Sequence, residues 1–271
     1  MQHQTGSVRK NIQIAEHTFH LTLLMPNGFP NAQAGQFVML RLSADTDALL
    51  GRPLAVYRKT SGTNGTLLEV VYLVVGKMTK RLAEVKPETE LSVWGPLGNG
   101  FGDTGQYRHL ICVAGGIGQT PFLSLAHQRS PETRQTLLYG VRSANRLACV
   151  DDFLAADVDV RPASDDGSVG FHGPVTELIS SVYRPDEPTK LLCCGPKPML
   201  RAAFQIAEKL QLPCDVSLET PMSCGMGICF GCVVDYRTDR VADCHTDDGE
   251  WDYRRTCVDG PVFDAYRLRW S

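Results

Sequence analysis

"HLICVAGGIGQTPFLSLAHQR", residues 109–129, is the stretch on which the architecture turns. An apolar run, "HLICVA", leads through Gly115, Gly116 and Gly118 into a second apolar segment that opens on Thr120 and Pro121. A strand that turns sharply through glycines into a helix aims backbone N–H groups at the space before that helix, where a pyrophosphate is favoured. Pro121 suits the first helical turn, because the N–H it lacks would have no partner there. A GGxG alone also fits an ordinary structural turn. Its place at the head of a strand–helix series favours a nucleotide, with Gly115, Gly116, Gly118 and Thr120 as candidate contacts and Gly118 and Thr120 as backbone and hydroxyl donors.

Downstream the same rhythm repeats. "QTLLYG" (135–140) and "KLLCC" (190–194) read as buried strands, and two further segments carry helical spacing. In "KPMLRAAFQIAEKLQ" the apolar positions are Met199, Ala203, Ile206 and Leu210, and in "GPVTELISSVY" they are Val175, Leu178, Ile179 and Val182. Strands alternating with helices predict a parallel α/β sheet over residues 104–212. Upstream, over residues 7–103, the pattern is short alternating strands: "TFHLTLLM", "QFVMLRL", "LLEVVYLVV" and "LSVWG". Turn-rich pieces such as "MPNGFPNAQAGQ" and "KTSGTNGT" separate them, which predicts an antiparallel barrel or sandwich. From residue 213 to 271 neither rhythm persists, and cysteine, glycine and aspartate dominate.

With 271 residues the chain has room for two or three domains. A net charge of -3 and the absence of a Lys/Arg run give no footprint for nucleic acid or an anionic membrane, so small molecules and proteins are the expected partners. "MQHQTGSVRK" lacks the apolar core of a signal peptide, and "LLEVVYLVV" is too short to span a bilayer and is interrupted by Glu69. The expected location is the cytoplasm. There, ten cysteines point to metal or redox use rather than to disulfides.

Five of those cysteines lie after residue 220, and "SCGMGICFGC" (223–232) concentrates three of them. Cys224, Cys229 and Cys232 have the C-x4-C-x2-C spacing of a plant-type [2Fe-2S] ligand run, which needs one more distant cysteine. The intervening glycines leave backbone N–H groups free to face the sulfurs. A structural zinc site is the alternative, although zinc more commonly takes paired C-x2-4-C hooks. Local spacing favours Cys244 as the fourth ligand, and Cys257 is the other candidate.

Taken together, these segments resemble the ferredoxin reductase family, and the resemblance covers nearly the whole chain. "GRPLAVY" is similar to its Arg-Pro-x-Ser flavin motif, "VYLVVGKMT" to its second flavin segment, and "CCGPKPM" to the signature that closes its nicotinamide site. "GPLGNGF" and above all "CVDGPVF" (257–263) resemble the electron transfer subunits of two-subunit, NAD-dependent dihydroorotate dehydrogenases. The resemblance implies an antiparallel β-barrel FAD domain (7–103), an α/β NAD domain (104–212) and a small C-terminal [2Fe-2S] domain (213–271). It implies flavin contacts from Arg52, Pro53, Leu54, Ala55, Val71, Tyr72, Leu73, Met78 and Thr79, with Arg52 on the pyrophosphate. It places Cys194 and Gly195 near the nicotinamide, and it makes Cys257 the fourth iron ligand beside Cys224, Cys229 and Cys232. The implied partner is an FMN-containing dihydroorotate dehydrogenase catalytic subunit, in a heterotetramer of two of each, serving pyrimidine biosynthesis.

The chain departs from the family pattern at three positions. Ala55 replaces a serine whose hydroxyl would reach the flavin, Leu73 stands for an arginine and Met78 for a glycine, so Lys77 or Lys80 must help Arg52 with charge. Arg142, Ser143 and Arg146 in "YGVRSANR" leave a 2'-phosphate open, and the resemblance implies NAD. A flavin between cluster and nicotinamide also follows from electron counting: the cluster passes electrons singly, the nicotinamide exchanges a hydride, and a flavin holds either number. The competing readings are a diaphorase or ferredoxin-NAD(P) oxidoreductase subunit and, in another class, an iron-sulfur sensor or zinc-stabilised interaction module.

Overall fold

The computed structural model describes residues 2–42, 50–238 and 250–270. The first seven strands are β1 (Gln2–Ala15), β2 (Thr18–Met25), β3 (Phe37–Leu42), β4 (Arg52–Ala55), β5 (Arg58–Gly62), β6 (Gly65–Leu73) and β7 (Glu90–Leu97). They form one antiparallel sheet ordered β4-β3-β7-β1-β2-β6-β5, with helix α1 (Lys77–Ala83) crossing between β6 and β7. The sheet curls until its two outer strands share a corner. There Val56 N–H donates to Gln36 O, just ahead of β3, and the next residue, Tyr57, donates to Glu69 O in β6, each at 3.0 Å. Leu21, Leu23, Val38, Leu40, Val70 and Val93 pack inside, at the alternate positions that a period of two requires.

The alternation that marks β2 is absent from β1. This 14-residue strand buries little beyond Gly6 and Val8, because it holds its place through backbone pairing with both β2 and β7.

The second sheet takes β8 (His109–Gly115), β9 (Arg134–Val141), β10 (Asp159–Ser164), β11 (Phe171–His172), β12 (Thr189–Cys194) and β13 (Cys214–Ser217), all parallel. Helices α2 (Thr120–Gln128), α3 (Val150–Ala155), α4 (Ile179–Val182) and α5 (Lys197–Lys209) link and cover them. Two strands, β14 (Val233–Arg237) and β15 (Trp251–Arg255), pair antiparallel as a ribbon. The last strand, β16 (Val262–Asp264), runs antiparallel to β13, so the sheet is mixed rather than wholly parallel and is ordered β11-β10-β9-β8-β12-β13-β16. Strand order reverses between β8 and β12, which is where open α/β sheets bind ligands.

Two helical expectations shift in detail. In α5 the buried face is Leu200, Ala203, Phe204 and Ala207, one position round from the expected Met199, Ile206 and Leu210, which are only partly covered. Segment 175–182 is a 3-10 turn continued by one short α turn, with Val175 and Ile179 pointing inward. No helix among the described residues is long and apolar enough to cross a membrane. Cys244 lies outside the described residues.

Candidate functional site

Strand β4 leaves Arg52, Pro53, Leu54 and Ala55, the residues expected to contact a flavin, half-buried at the rim of the first sheet. Among the described residues, the Arg52 guanidinium meets the carbonyls of Gly51 (3.1 Å) and Leu50 (3.4 Å) and no carboxylate, so its charge suits an incoming diphosphate. On β6, Val71 faces the α/β side, Tyr72 turns into the barrel and donates its hydroxyl to Asn11 Oδ1 (3.1 Å), and Leu73 is half-exposed. Met78 is buried in the barrel core. Thr79 Oγ1 accepts from Val75 N–H and Gly76 N–H at 3.0 Å each, fixing the turn into α1. Lys77 and Lys80 are exposed on that helix. Thus Met78 and Thr79 offer the loop's backbone rather than their side chains.

The nucleotide cradle brings two distant motifs together, because β8 and β12 are neighbours with Ala114 opposite Cys194. Its glycines divide by task. A Cβ on Gly118 would stand 2.1 Å from Cys194 O, and one on Gly115 would stand 2.6 Å from Pro196 Cδ. Gly195, at φ +156°, would place a Cβ 2.9 Å from Gly115 N. These three glycines let the strand ends close on each other. Gly116 differs: at φ +54° its missing Cβ would point into open space, so the left-handed backbone rather than crowding calls for glycine there. Thr120 is buried in the first turn of α2. Among the described residues, neither amide atom of the buried Gln119 nor Thr220 Oγ1 makes a hydrogen bond of ordinary length, although the Gln119 amide lies beside the Cys149 thiol and favours its ionised form. Burial pushes the Cys194 thiol up to about 12, the Glu219 charge adds to this and the Ser217 hydroxyl opposes it. Sequence reasoning had no signal for Gln119, Ser217 or Glu219.

The cysteine loop forms a cup between the β14–β15 ribbon and the barrel. Cys232 Sγ lies 3.3 Å from Cys257 Sγ, and both residues are buried. Cys224 pairs with the exposed Cys229. Burial opposes ionisation of Cys224, but N–H groups of Cys229, Met226 and Ile228 and the Cys229 thiol outweigh it and bring Cys224 down to about 6. Met226 N–H meets Cys224 Sγ at 3.4 Å and Gly227 N–H meets Cys257 Sγ at 3.1 Å. Gly225 (φ +70°) and Gly227 (φ +78°) supply the left-handed turns that aim these N–H groups inward. Among the described residues no three of these thiols converge on one point as around a single metal ion, but four thiols with backbone donors on the Cys224 and Cys257 sulfurs are the donor set that a two-iron cluster takes.

The motifs behind the family resemblance also touch. Asn99 of "GPLGNGF" donates from N–H to Gly260 O (2.5 Å) and from Nδ2 to Asp259 O (2.9 Å), both in "CVDGPVF". A further cluster unread in the sequence joins the two sheets: Asp152 of α3 accepts from Tyr57 Oη and from Arg58 Nη2, each at 2.7 Å.

Three family models match the chain: an oxidoreductase FAD-binding domain over residues 6–101, an oxidoreductase NAD-binding domain over 112–205, and the iron-sulfur cluster binding domain of dihydroorotate dehydrogenase B over 219–269. The chain is 38% identical over 257 residues to the dihydroorotate dehydrogenase B (NAD(+)) electron transfer subunit of Geobacillus kaustophilus, covering 93% of each. It is 31% identical over 259 residues to that of Desulforamulus reducens, covering 95% of each. Among solved structures, the NADH-dependent reduced ferredoxin-NADP oxidoreductase superposes with a TM-score of 0.81 at 28% identity, over 98% of this chain and 90% of that one.

Proposed function

The chain belongs to the family of dihydroorotate dehydrogenase B (NAD+) electron transfer subunits, and from that membership we propose how its residues carry electrons to NAD+ in pyrimidine biosynthesis. It is an NAD-linked flavin and iron-sulfur oxidoreductase subunit that uses FAD, a [2Fe-2S] cluster and NAD. When bound, the FAD converts single electrons from the cluster into a hydride for NAD+.

In this reading Cys224 and Cys229 hold one iron and Cys232 and Cys257 the other, with the N–H groups of Met226 and Gly227 stabilising sulfur charge. The observation that carries it is the pairing of Cys232 with Cys257 at 3.3 Å across 25 residues of sequence. Arg52 neutralises the flavin diphosphate, and the backbone of Pro53 to Ala55 lines the ring. The peptides at Val71–Leu73 and the turn shaped by Met78 and Thr79 complete the flavin pocket. Gly116 and Thr120 receive the nicotinamide dinucleotide. Gly115, Gly118 and Gly195 hold the strand ends close enough for Cys194 to flank the nicotinamide.

The partner in this reading is an FMN-containing catalytic subunit, assembled two and two. Met226, Ile228, Phe230, Tyr253 and Val258 are exposed around the exposed Cys229, and an apolar rim around a redox centre suits docking against that subunit. The test is reconstitution. Mixed with a dihydroorotate-oxidising FMN subunit, the purified protein is expected to give dihydroorotate-dependent NAD+ reduction and to co-elute as a complex larger than a one-to-one pair. Absence of both flavin and cluster bands from the visible spectrum of protein purified without air would contradict the reading.

A further inference from the structure

Trp94 stands on β7 in register with Met39 of β3, which in turn faces Pro53 of the flavin strand. Its indole spans two segments far apart in sequence. At one end Nε1 donates to the carbonyl of Cys224 at 3.0 Å, across 130 residues. At the other, the six-membered ring lies so close to Gly51 that a Cβ there would stand 2.6 Å from Cη2 and 3.2 Å from Cζ2. Gly51 immediately precedes Arg52, so one rigid side chain touches both the segment that carries a ligand cysteine and the segment that opens the flavin strand. The ring also packs against the small core formed by Phe37, Met39, Leu97, Met222, Cys232 and Cys257.

We propose that Trp94 is a positioning residue for electron transfer between the cysteine loop and the flavin strand. The inference rests on the iron-sulfur and flavin assignment made above. Two physical effects follow from its contacts. The hydrogen bond fixes the Cys224 carbonyl toward the indole, and because the peptide is planar and trans, the Gly225 N–H points the opposite way. The orientation of a dipole attached to a ligand cysteine is thereby set from the barrel. The indole also supplies a continuous route: the covalent bonds of Cys224, one hydrogen bond, the conjugated ring and one van der Waals contact with Gly51. One electron enters this route for each that leaves it, and Trp94 undergoes no net oxidation or reduction. Met39 offers the competing contact, since a Cβ on Gly225 would stand 2.6 Å from Met39 Cγ, but it provides neither a hydrogen bond nor conjugation.

The test uses holoprotein with Trp94→Phe, Trp94→Leu and Met39→Leu substitutions, each first assayed for iron and FAD content. NADH is mixed with oxidised protein, and reduction of the flavin and cluster bands is followed separately, with electron paramagnetic resonance on the reduced cluster. Trp94→Phe is expected to shift the g-values and the midpoint potential, because the N–H is lost while the ring remains. Trp94→Leu is expected to show the same shift and also to slow cluster reduction by roughly tenfold. Met39→Leu is expected to leave the spectrum and the rate unchanged. Spectra, potential and rate at the wild-type level in both Trp94 variants would overturn the proposal, as would an equal slowing in Met39→Leu. If Trp94→Leu loses its cofactors, the Trp94→Phe spectrum and potential decide. Wild-type protein without flavin or cluster bands would instead sink the assignment on which the proposal rests.

Discussion

The turn at 115–118 and the cysteine loop at 224–232 are both glycine-rich, yet glycine serves opposite ends in them. In the nucleotide cradle, Gly118 and Gly115 are small because other parts of the chain occupy the space, the Cys194 carbonyl at Gly118 and the Pro196 ring at Gly115. In the cysteine loop, Gly225 and Gly227 supply the positive φ that turns successive N–H groups toward sulfur, and what a Cβ would meet there is side chain, Met39 Cγ at 2.6 Å and Val258 Cγ2 at 2.7 Å. The cradle is held by the fold. Its floor is a parallel sheet with Ile111, Val113, Leu138 and Leu192 fully buried. The loop shares a six-residue core with the first sheet, in which Met222, Cys232 and Cys257 pack against Phe37, Met39 and Leu97. Glycines in the cradle are therefore expected to protect stability, whereas those in the loop are expected to protect metal binding.

Gly118→Val is the severest way to test that contrast. The substitution drives carbons into the Cys194 carbonyl, and we expect a loss of about 3 kcal/mol or more, read as a fall in melting temperature on the order of 10 °C. A variant that melted normally but bound NADH poorly would put Gly118 on the ligand side and erase the distinction. Gly225→Ala comes next. It should leave the melting of the FAD and NAD domains nearly intact but lower iron and acid-labile sulfide per chain, because φ +70° is costly for alanine and its Cβ would strike Met39. Unchanged iron content would show that the loop does not depend on that turn.

A pH titration separates the two regions differently. His109 at the start of β8 is fully buried, with one ring nitrogen hydrogen-bonded to Thr136 Oγ1 at 3.0 Å and the other without a partner among the described residues. Burial lowers it from 6.5 to about 4, and the nearby Arg134 charge contributes in the same direction. The unfolded chain binds a proton below about 6.5 that the folded chain refuses until about 4, so cradle stability should fall as pH drops through that window. In the metal-free protein, His109→Gln should flatten the decline, as measured by thermal melts at a series of pH values. The smallest effect is expected from Gly116→Ala, whose Cβ meets only open space. At φ +54° alanine is strained here too, so melting should fall by about 2–4 °C, and the KM for NADH should rise roughly fivefold.

The same two regions show how much of the molecule was legible in the sequence. "TFHLTLLM" alternates, and it is β2 from its first residue to its last. "SCGMGICFGC" states its ligand spacing openly, since three thiols within nine residues leave little else to read. What stayed hidden depends on partners distant along the chain. The polar β1 is a strand because of neighbours on both sides rather than any pattern of its own. That Gly118 also makes room for the Cys194 carbonyl could not be read, because that backbone arrives 76 residues later. Trp94 looked like one more apolar strand residue, and Tyr57 and Arg58 gave no sign that Asp152 would join them. Of the four periodic residues in α5, Ala203 is fully buried and Met199, Ile206 and Leu210 are partly covered, because periodicity specifies a stripe but not which edge of it meets the sheet.

The central claim is that the cysteine loop holds a two-iron cluster closed by Cys257. Its most direct test compares Cys257→Ser with Cys244→Ser, each assayed for iron, acid-labile sulfide, FAD and the electron paramagnetic resonance signal of the reduced protein. Cys257→Ser should lose or markedly alter the signal while FAD stays at its wild-type level, because a hydroxyl is a poorer ligand than a thiolate. Cys244→Ser should keep the signal and the iron content unchanged. A cluster that survives without the Cys257 thiol and disappears without the Cys244 thiol would contradict the assignment.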